Sequence, residues 1–499
     1  ERDDKITEQM SVVPDVSEEI DRIEKEMDDD TESIITNERY VFISSIIGDC
    51  CVRNKKEKQL DMLNGSLVDK IILFALPLAA SSILQQLFNS ADVAVVGRFA
   101  GSEALAAVGA NGAVINLLVN LFVGLSVGAN VVIATFIGKG NEKSIKKAVH
   151  TAIVVALISG VCLTVIGVTF ARVILSAMST PANILNLAVR YLRIYFSGMP
   201  FIMLYNFASS IFRSKGDTKR PLIALAISGV INVLLNLFFV VVLGMNVEGV
   251  AIATVVSNMI SSSILIYWLV KEEGAFRLEI RQLRIDFNIV KSMAKIGVPA
   301  GVQGMVFSFS NVIIQSALNQ LGSIAVAASA AALNYEYFAF FILSSFSQAA
   351  VTFISQNFGA DKKDRCKKVV KTCWSLGAVS TFTVCAIFII FSHPLVGIFT
   401  QDNVVADLAV VRLKYVLSFY LVNMTIEVLS GCMRGLGYSF VPASICVLGI
   451  CGVRMLWIFT AFQKIATFEG LMLVYPISWV ITMTAVVLSY FVVRKKVGL

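Results

Sequence analysis

Charge is what this chain has least of. Only 15% of its 499 residues are Asp, Glu, Lys or Arg, against about 25% in soluble domains. Apolar residues make up 56% before any glycine is counted, and mean hydropathy is +0.76. A single water-soluble globule of this length lacks the polar surface to cover such a composition. Histidine is almost missing: His150 and His393 are the two in the chain, which leaves neither a base for a nucleophile nor the ligands of a catalytic metal. An enzyme is therefore not expected. No Gly-x-x-x-x-Gly-Lys-Ser/Thr stretch occurs, so no phosphate loop is present and ATP is excluded as the energy source on that pattern. The nine cysteines fall mostly in apolar runs, where they behave as small hydrophobes. Cys50 and Cys51, followed by Arg53, Lys55, Lys56 and Lys58, fit either acylation near a membrane or plain reduced thiols on the cytoplasmic side.

The charge that exists is unevenly spread. Positions 1–60 hold 17 of the 35 acids and 9 of the 42 bases, leaving 18 acids for all the rest of the chain. So long a stretch with so few carboxylates is a membrane domain, and collagen, a disulfide scaffold and a nucleic-acid-binding domain are excluded on the same counts. Residues 1-60 read as an acidic cytoplasmic tail that stays disordered, because it has few large apolar residues. It has no basic segment leading into an apolar core and does not read as a secretory signal.

Apolar stretches long enough to span, about 20 residues, fall at 71–96, 107–137, 148–170, 185–212, 221–243 and 249–270. Six more follow at 290–320, 325–357, 369–391, 405–433, 440–462 and 470–493. The expected fold is all-α integral membrane, with twelve transmembrane helices. Lys and Arg set its orientation. Lys139, Lys143, Lys146 and Lys147, then Arg213, Lys215, Lys219 and Arg220, then Lys362, Lys363, Arg365, Lys367 and Lys368 all fall on one side, with Arg494, Lys495 and Lys496. That side is expected to be the cytoplasm, with both termini inside and the protein in the inner (plasma) membrane.

A repeat is visible by eye. Pro77 recurs as Pro299, at an offset of 222. Gly138 recurs as Gly359, Arg213-Ser-Lys-Gly216 as Arg434-Gly-Leu-Gly437, and Pro221 as Pro442, all at an offset of 221. Six spans is an even number, so both copies enter from the same side and a pseudo-twofold along the membrane normal relates two six-helix lobes. The expected domains are an N-lobe at 66-270, a cytoplasmic linker at 271-289 lying amphipathic on the membrane surface, and a C-lobe at 290-499.

Four stretches carry a family resemblance: Ala75-Leu-Pro77 through Asn89-Ser-Ala-Asp92 to Gly97-Arg98, Arg213-Ser-Lys-Gly-Asp217-Thr-Lys-Arg-Pro221, Ser355-Gln-Asn-Phe-Gly359-Ala, and Arg434-Gly-Leu-Gly437-Tyr. With the repeat, they resemble the multidrug and toxic compound extrusion (MATE) family over about residues 66 to 499. The resemblance implies a secondary active multidrug exporter. Such a protein antiports amphipathic, often cationic small molecules against inward H+ or Na+, by rocking two lobes between outward-open and inward-open states. It implies no cofactor beyond the coupling ion, with Na+ as the one metal to consider, and lipids but no nucleic acid as partners; a monomer is expected. The competing reading is a lipid or oligosaccharide flippase of the same superfamily. Extra helices and cavity arginines mark such proteins, and Arg454 is the only base deep in a span here.

Ionisable groups at membrane depth cost about 2.5–3.5 kcal/mol on insertion scales and default to function. Three of the 18 acids stand there: Asp92, Glu336 and Glu427. Their repeat partners are Ile314, Ile115 and Asn206, so the scaffold is symmetric and the charges are not. Asp92 is either a coupling acid or an interfacial carboxylate pairing with Arg98. Glu427 couples or pairs with a base, and Glu336 supplies a second carboxylate or faces water at a helix end. The resemblance places a coupling acid at Asp92, a helix bend near Pro77 (with Pro299 as its counterpart), and an Asn-x-x-x-Asp pair in the fifth span. That pair reads Asn232-Val-Leu-Leu-Asn236 here, so the second acid is missing. Thr254 and Tyr191 match other polar members of that network, and Asn423 matches a tenth-span position of sodium-coupled relatives. With Asn236 unable to titrate, Glu427 is expected to matter at least as much as Asp92. Substrate contacts are expected from Gln85, two turns from Asp92 on nearly the same face, and from Tyr191, Met203, Tyr205, Tyr335, Tyr337 and Phe340.

Overall fold

The structure is a computed structural model that describes residues 60–178 and 180–499; the acidic tail through Gln59, with Cys50 and Cys51, lies outside the described residues. Every apolar run becomes helix, because lipid offers the backbone no hydrogen-bond partner and a helix satisfies its own. The N-lobe comprises α1 (Val68–Val95, prolonged by a π turn at Val96–Ala100), α2 (Ser102–Gly138), α3 (Glu142–Ala177), α4 (Ala182–Ser197 and Met199–Lys215), α5 (Lys219–Leu237 with a π turn at Phe238–Val242) and α6 (Val247–Lys271). The C-lobe comprises α7 (Phe287–Gln320), α8 (Ser323–Gly359), α9 (Lys363–Ile390) and α10 (Asn403–Leu417 and Tyr420–Gly435). It closes with α11 (Phe440–Cys446, a π turn at Val447–Gly452, then Val453–Phe459) and α12 (Phe468–Met472 and Val474–Lys496).

Among the described residues, ten of the twelve are long and apolar enough to cross a membrane. The other two, α4 and α10, are each interrupted midway, at Gly198 and at Ser418–Phe419, so each crosses as two shorter helices. Gly198 and Phe419 are related by the same offset of 221 as the sequence blocks, and they break the same crossing in both lobes. Glycine marks the repeat where only glycine is comfortable. Gly101 and Gly322 precede α2 and α8 at φ 91° and 93°, in the left-handed region that a Cβ disfavours.

The twofold is legible in the contacts between lobes. A Cβ on Gly138 would meet the Gln356 carbonyl oxygen at 2.0 Å, and one on Gly359 would meet the Thr135 carbonyl at 2.4 Å. Thr135 and Gln356 are themselves related by the offset of 221, so the two contacts are images of each other, as an isologous seam requires. Further along α2 and α7, glycines let backbones touch at Gly124–Gly301 and at Gly128–Met293, the small-residue packing of membrane helices. Asn120 donates to Ser308 Oγ (3.1 Å), Asn130 to Thr352 Oγ1 (3.1 Å) and Gln356 to the Ser214 carbonyl (2.6 Å). Polar contacts between lobes thus run from mid-helix to the end that carries the Lys and Arg clusters. There the segment preceding α1 straps the seam. The Met62 carbonyl accepts from Asn357 and Arg365 (both 3.1 Å), while Leu60 and Met62 lie against Gly216 of the other lobe.

The linker joins α6 to α7. It is two short 3-10 turns, Gly274–Phe276 and Ile280–Gln282, tied down onto the N-lobe. Phe276 and Leu278 are buried, and the amides of Glu279 and Asp286 donate to His150 Nε2 (3.1 Å) and Thr151 Oγ1 (3.2 Å). Polar anchors hold the linker to the protein, while the Ile280 side chain stays exposed. Glu272 accepts from Lys215 and from Arg220 (2.5 Å). Burial alone pushes its carboxyl up, but the two cations outweigh this and hold it below the usual carboxylate range. A carboxylate so held contributes docking at pH above that range and loses it as pH falls through the lowered value. Glu272→Gln is therefore expected to speed amide exchange over residues 272–286 by about tenfold, the worth of a charged hydrogen bond. Wild-type protein is expected to show the same speeding only in acid, after correction for intrinsic rates. Unchanged exchange in the variant would refute this.

Candidate functional site

The N-lobe site is built where α1 meets α5. Gly229 leaves room for the Phe88 ring, which lies 1.7 Å from where a Cβ would stand. That close approach brings Asp92, one turn beyond Phe88, to Asn236 on the last turn before the π segment of α5. Asn236 Nδ2 donates to Asp92 Oδ1 (2.5 Å) and to Asn232 Oδ1 (3.3 Å), and Asn232 Nδ2 donates to Ser257 Oγ of α6 (3.4 Å). Thr254, one turn before Ser257, is a second side-chain partner of Asp92. Tyr191 and Tyr195 of α4, stacked at 6.1 Å, lie within reach of the same charge. Among the described residues Asp92 has no ion pair, and Arg98 is not its partner. A half-buried carboxylate is thus held by neutral groups alone, and Asn236 Oδ1 is sealed in with no partner. Five of the expected residues (Asp92, Asn232, Asn236, Thr254 and Tyr191) converge here; Ser257 and Tyr195 join them without having been singled out.

The two C-lobe acids stand in different surroundings from Asp92 and from each other. Glu336 on α8 is 6% exposed and bound bidentate by Arg412 of α10, Nε to Oε1 at 2.6 Å and Nη2 to Oε2 at 3.0 Å. It is a matched ion pair, not an open carboxylate, because a cation there would have to displace a fully engaged guanidinium. Arg412 also donates to the Tyr475 hydroxyl (3.4 Å). The other face of this cluster is Arg454 of α11, stacked over the Tyr475 ring with 4.6 Å to its centroid and donating from Nε to Ser478 Oγ (3.5 Å). Glu427 on α10 is half-buried. Its backbone carbonyl accepts from Ser347 (2.8 Å), and its carboxylate has no hydrogen bond or ion pair among the described residues. Asn423 is buried one turn away. Arg434 reaches Gln303 of α7 (3.0 Å) instead of capping its own helix, whereas Arg213 bonds the Ser209 carbonyl one turn back (3.2 Å).

The expected substrate contacts are dispersed. Gln85 is exposed on α1. Met203 is fully buried in the N-lobe core. Tyr335 is buried against Phe388 and Phe399, its hydroxyl donating to the Leu395 carbonyl (2.7 Å). Neither residue faces an open space, because apolar packing in each lobe has claimed it. Tyr205 is half-buried near Pro221, its hydroxyl 3.4 Å from that carbonyl; Tyr337 and Phe340 are exposed. Arg412, Tyr475 and Ser478 were missed because an arginine at the start of a span reads as an interfacial anchor, and only the fold carries it to Glu336.

Comparison with known proteins agrees with this architecture. The MatE family model matches twice, at residues 77–238 and 299–460, two copies displaced by 222. A model of the FeoB cytosolic helical domain matches residues 1–52, outside the described residues. The chain is 29% identical over 435 residues to "Probable multidrug resistance protein YoeA" of Bacillus subtilis (strain 168), covering 85% of this chain and 93% of that protein. It is 22% identical over 409 residues to "Multidrug export protein MepA" of Staphylococcus aureus (strain bovine RF122 / ET3-1), covering 81% and 90%. A MATE crystal structure in complex with MaL6 has the same fold, with a TM-score of 0.81 at 21% identity over 89% of this chain and 99% of that one. The chain belongs to the MatE family, the multidrug and toxic compound extrusion transporters.

Proposed function

We propose that this transporter exports amphipathic, cationic compounds across the plasma membrane in exchange for protons taken up at Asp92, with its basic helix ends and both termini in the cytoplasm. It works as a monomer among lipids and needs no cofactor beyond the coupling ion. The observation that carries this reading is the Asp92–Asn236–Asn232–Ser257 chain, in which a carboxylate at membrane depth meets only neutral partners. A charge so placed is costly, and a proton removes it. Asn236 registers the difference. Its Nδ2 donates to the carboxylate in the charged form; after protonation the new O–H needs an acceptor, and Oδ1 of the same amide is buried and unpartnered. Turning the amide over to accept releases its bond to Asn232, so loading α1 is felt along α5 and, through Ser257, in α6. A proton that binds one lobe arrangement better than the other drives the switch between outward-open and inward-open states by that difference.

Protons are favoured over Na+ because one proton neutralises the carboxylate with no further ligand, whereas Na+ would need the Asn236 amide turned over and several oxygens gathered around Asp92. The test is dye transport in proteoliposomes with pH and sodium gradients imposed separately. Transport driven by the pH gradient alone is expected. Transport that follows only the sodium gradient would overturn the coupling, and no dye transport under either would overturn export itself.

A further inference from the structure

The two lobes carry equivalent polar clusters of opposite charge, and the one in the C-lobe has no assigned role. The register between lobes is pinned on α6 and α12 by Glu248-Gly249 and Glu469-Gly470, which share the offset of 221 and so pair Thr254 with Tyr475 and Ser257 with Ser478. On the preceding helices the offset starts at 221 with Pro221 and Pro442. The π turn at Val447–Gly452 then inserts one residue into α11, since such a turn is a single-residue bulge in an α-helix. Past it the offset is 222, and Arg454 takes the place of Asn232. The hydrogen bonds agree: Asn232 donates to Ser257 at 3.4 Å, and Arg454 Nε donates to Ser478 at 3.5 Å. At the matching place on the first helix of each lobe, Asp92 is replaced by Ile314. Tyr191 is replaced by Arg412, which Glu336 neutralises.

The charges in this cluster are therefore Arg412, Arg454 and Glu336, one positive charge in excess. Arg454 is 7% exposed. Its two Nη groups have no hydrogen-bond partner among the described residues and are not among the sealed polar atoms, so the outer edge of the guanidinium keeps some accessible surface. With Cζ 4.6 Å from the Tyr475 ring centroid and Nε spent on Ser478, the guanidinium keeps its two Nη groups as a fork of donors suited to a two-oxygen anion.

We propose that Arg454, held by Tyr475 and Ser478, is a subsite for the carboxylate of an amphipathic substrate that also carries a positive charge. The export reading supplies the substrate, and this inference rests on it. It narrows the substrate class from cations to zwitterions, with the cationic end toward the acidic N-lobe and the carboxylate toward the basic C-lobe.

A xanthylium dye bearing a free carboxylate and its methyl ester, which keeps the cation and loses the anion, separate the two ends. With wild-type transporter in lipid vesicles, the acid dye is expected to bind at least fivefold more tightly than the ester by fluorescence polarisation. Arg454→Gln is expected to erase that preference and leave ester binding within twofold, and Arg454→Lys to keep part of it. A wild-type preference for the ester overturns the subsite without any variant having to fold. Equal loss of both dyes in Arg454→Gln overturns it by showing a structural role, and an unchanged acid-to-ester ratio overturns it while export stands. Binding of neither dye by the wild type overturns the subsite and the export reading together.

Discussion

Asp92→Asn is expected to leave no more than about a tenth of wild-type gradient-driven dye efflux at equal expression, because a cation without differential affinity for two states drives nothing. The amide keeps a polar partner for Asn236 and removes the group that can change charge, so folding is spared and coupling is not. Glu427→Gln is expected to retain at least about half of the efflux. That reverses the weight the sequence put on Glu427, and the reason is local. Asn236 cannot titrate, yet it can report the state of Asp92 through its hydrogen bond, whereas the Glu427 carboxylate has no partner among the described residues to report its own. Efflux assays on the two variants decide the matter. Full activity in Asp92→Asn with loss in Glu427→Gln would move coupling to the C-lobe.

Gly138→Ala is expected to shift the lobes away from closure at their basic ends and to cut transport to a similar extent. The new Cβ would stand 2.0 Å from the Gln356 carbonyl oxygen, a backbone atom that cannot rotate away. Overpacking of this kind costs about 1–3 kcal/mol, a shift of roughly 5- to 150-fold in the closure equilibrium. Spin labels on the exposed Lys143 and Lys367 should report a longer mean distance in the variant. Gly112→Ala on the same helix, where a Cβ meets nothing within 4 Å, is the control and should stay within twofold of wild type. Equal behaviour of the two variants would show that the seam at Gly138 is not what closes the lobes.

Most of the membrane architecture was legible before any coordinates. Each span is a predominantly apolar run, and in lipid such a run has no alternative to helix, so span number and approximate ends follow from composition. The repeat was legible because Pro77, Gly138, Arg213 and Pro221 recur with their neighbours at one offset. Asp92 stood out because an acid at membrane depth is costly whatever surrounds it. The breaks in α4 and α10 were less legible: Gly198 is one glycine among 32, and so short a gap does not interrupt an apolar run.

The sequence by itself determined the class, the two six-helix copies and which few acids stand in the membrane, because hydropathy and spacing are properties of one segment at a time. Tertiary structure alone decided the fate of those acids, since a side chain's charge balance depends on what other helices bring to it. Glu336 and Arg412 are 76 residues apart and become one ion pair. Asp92 and Asn236 are 144 residues apart and become one hydrogen bond. The single residue that a π turn adds to α11 then sets Arg454 where the other lobe has Asn232, and that difference helps give the two copies of one scaffold polar clusters of opposite charge.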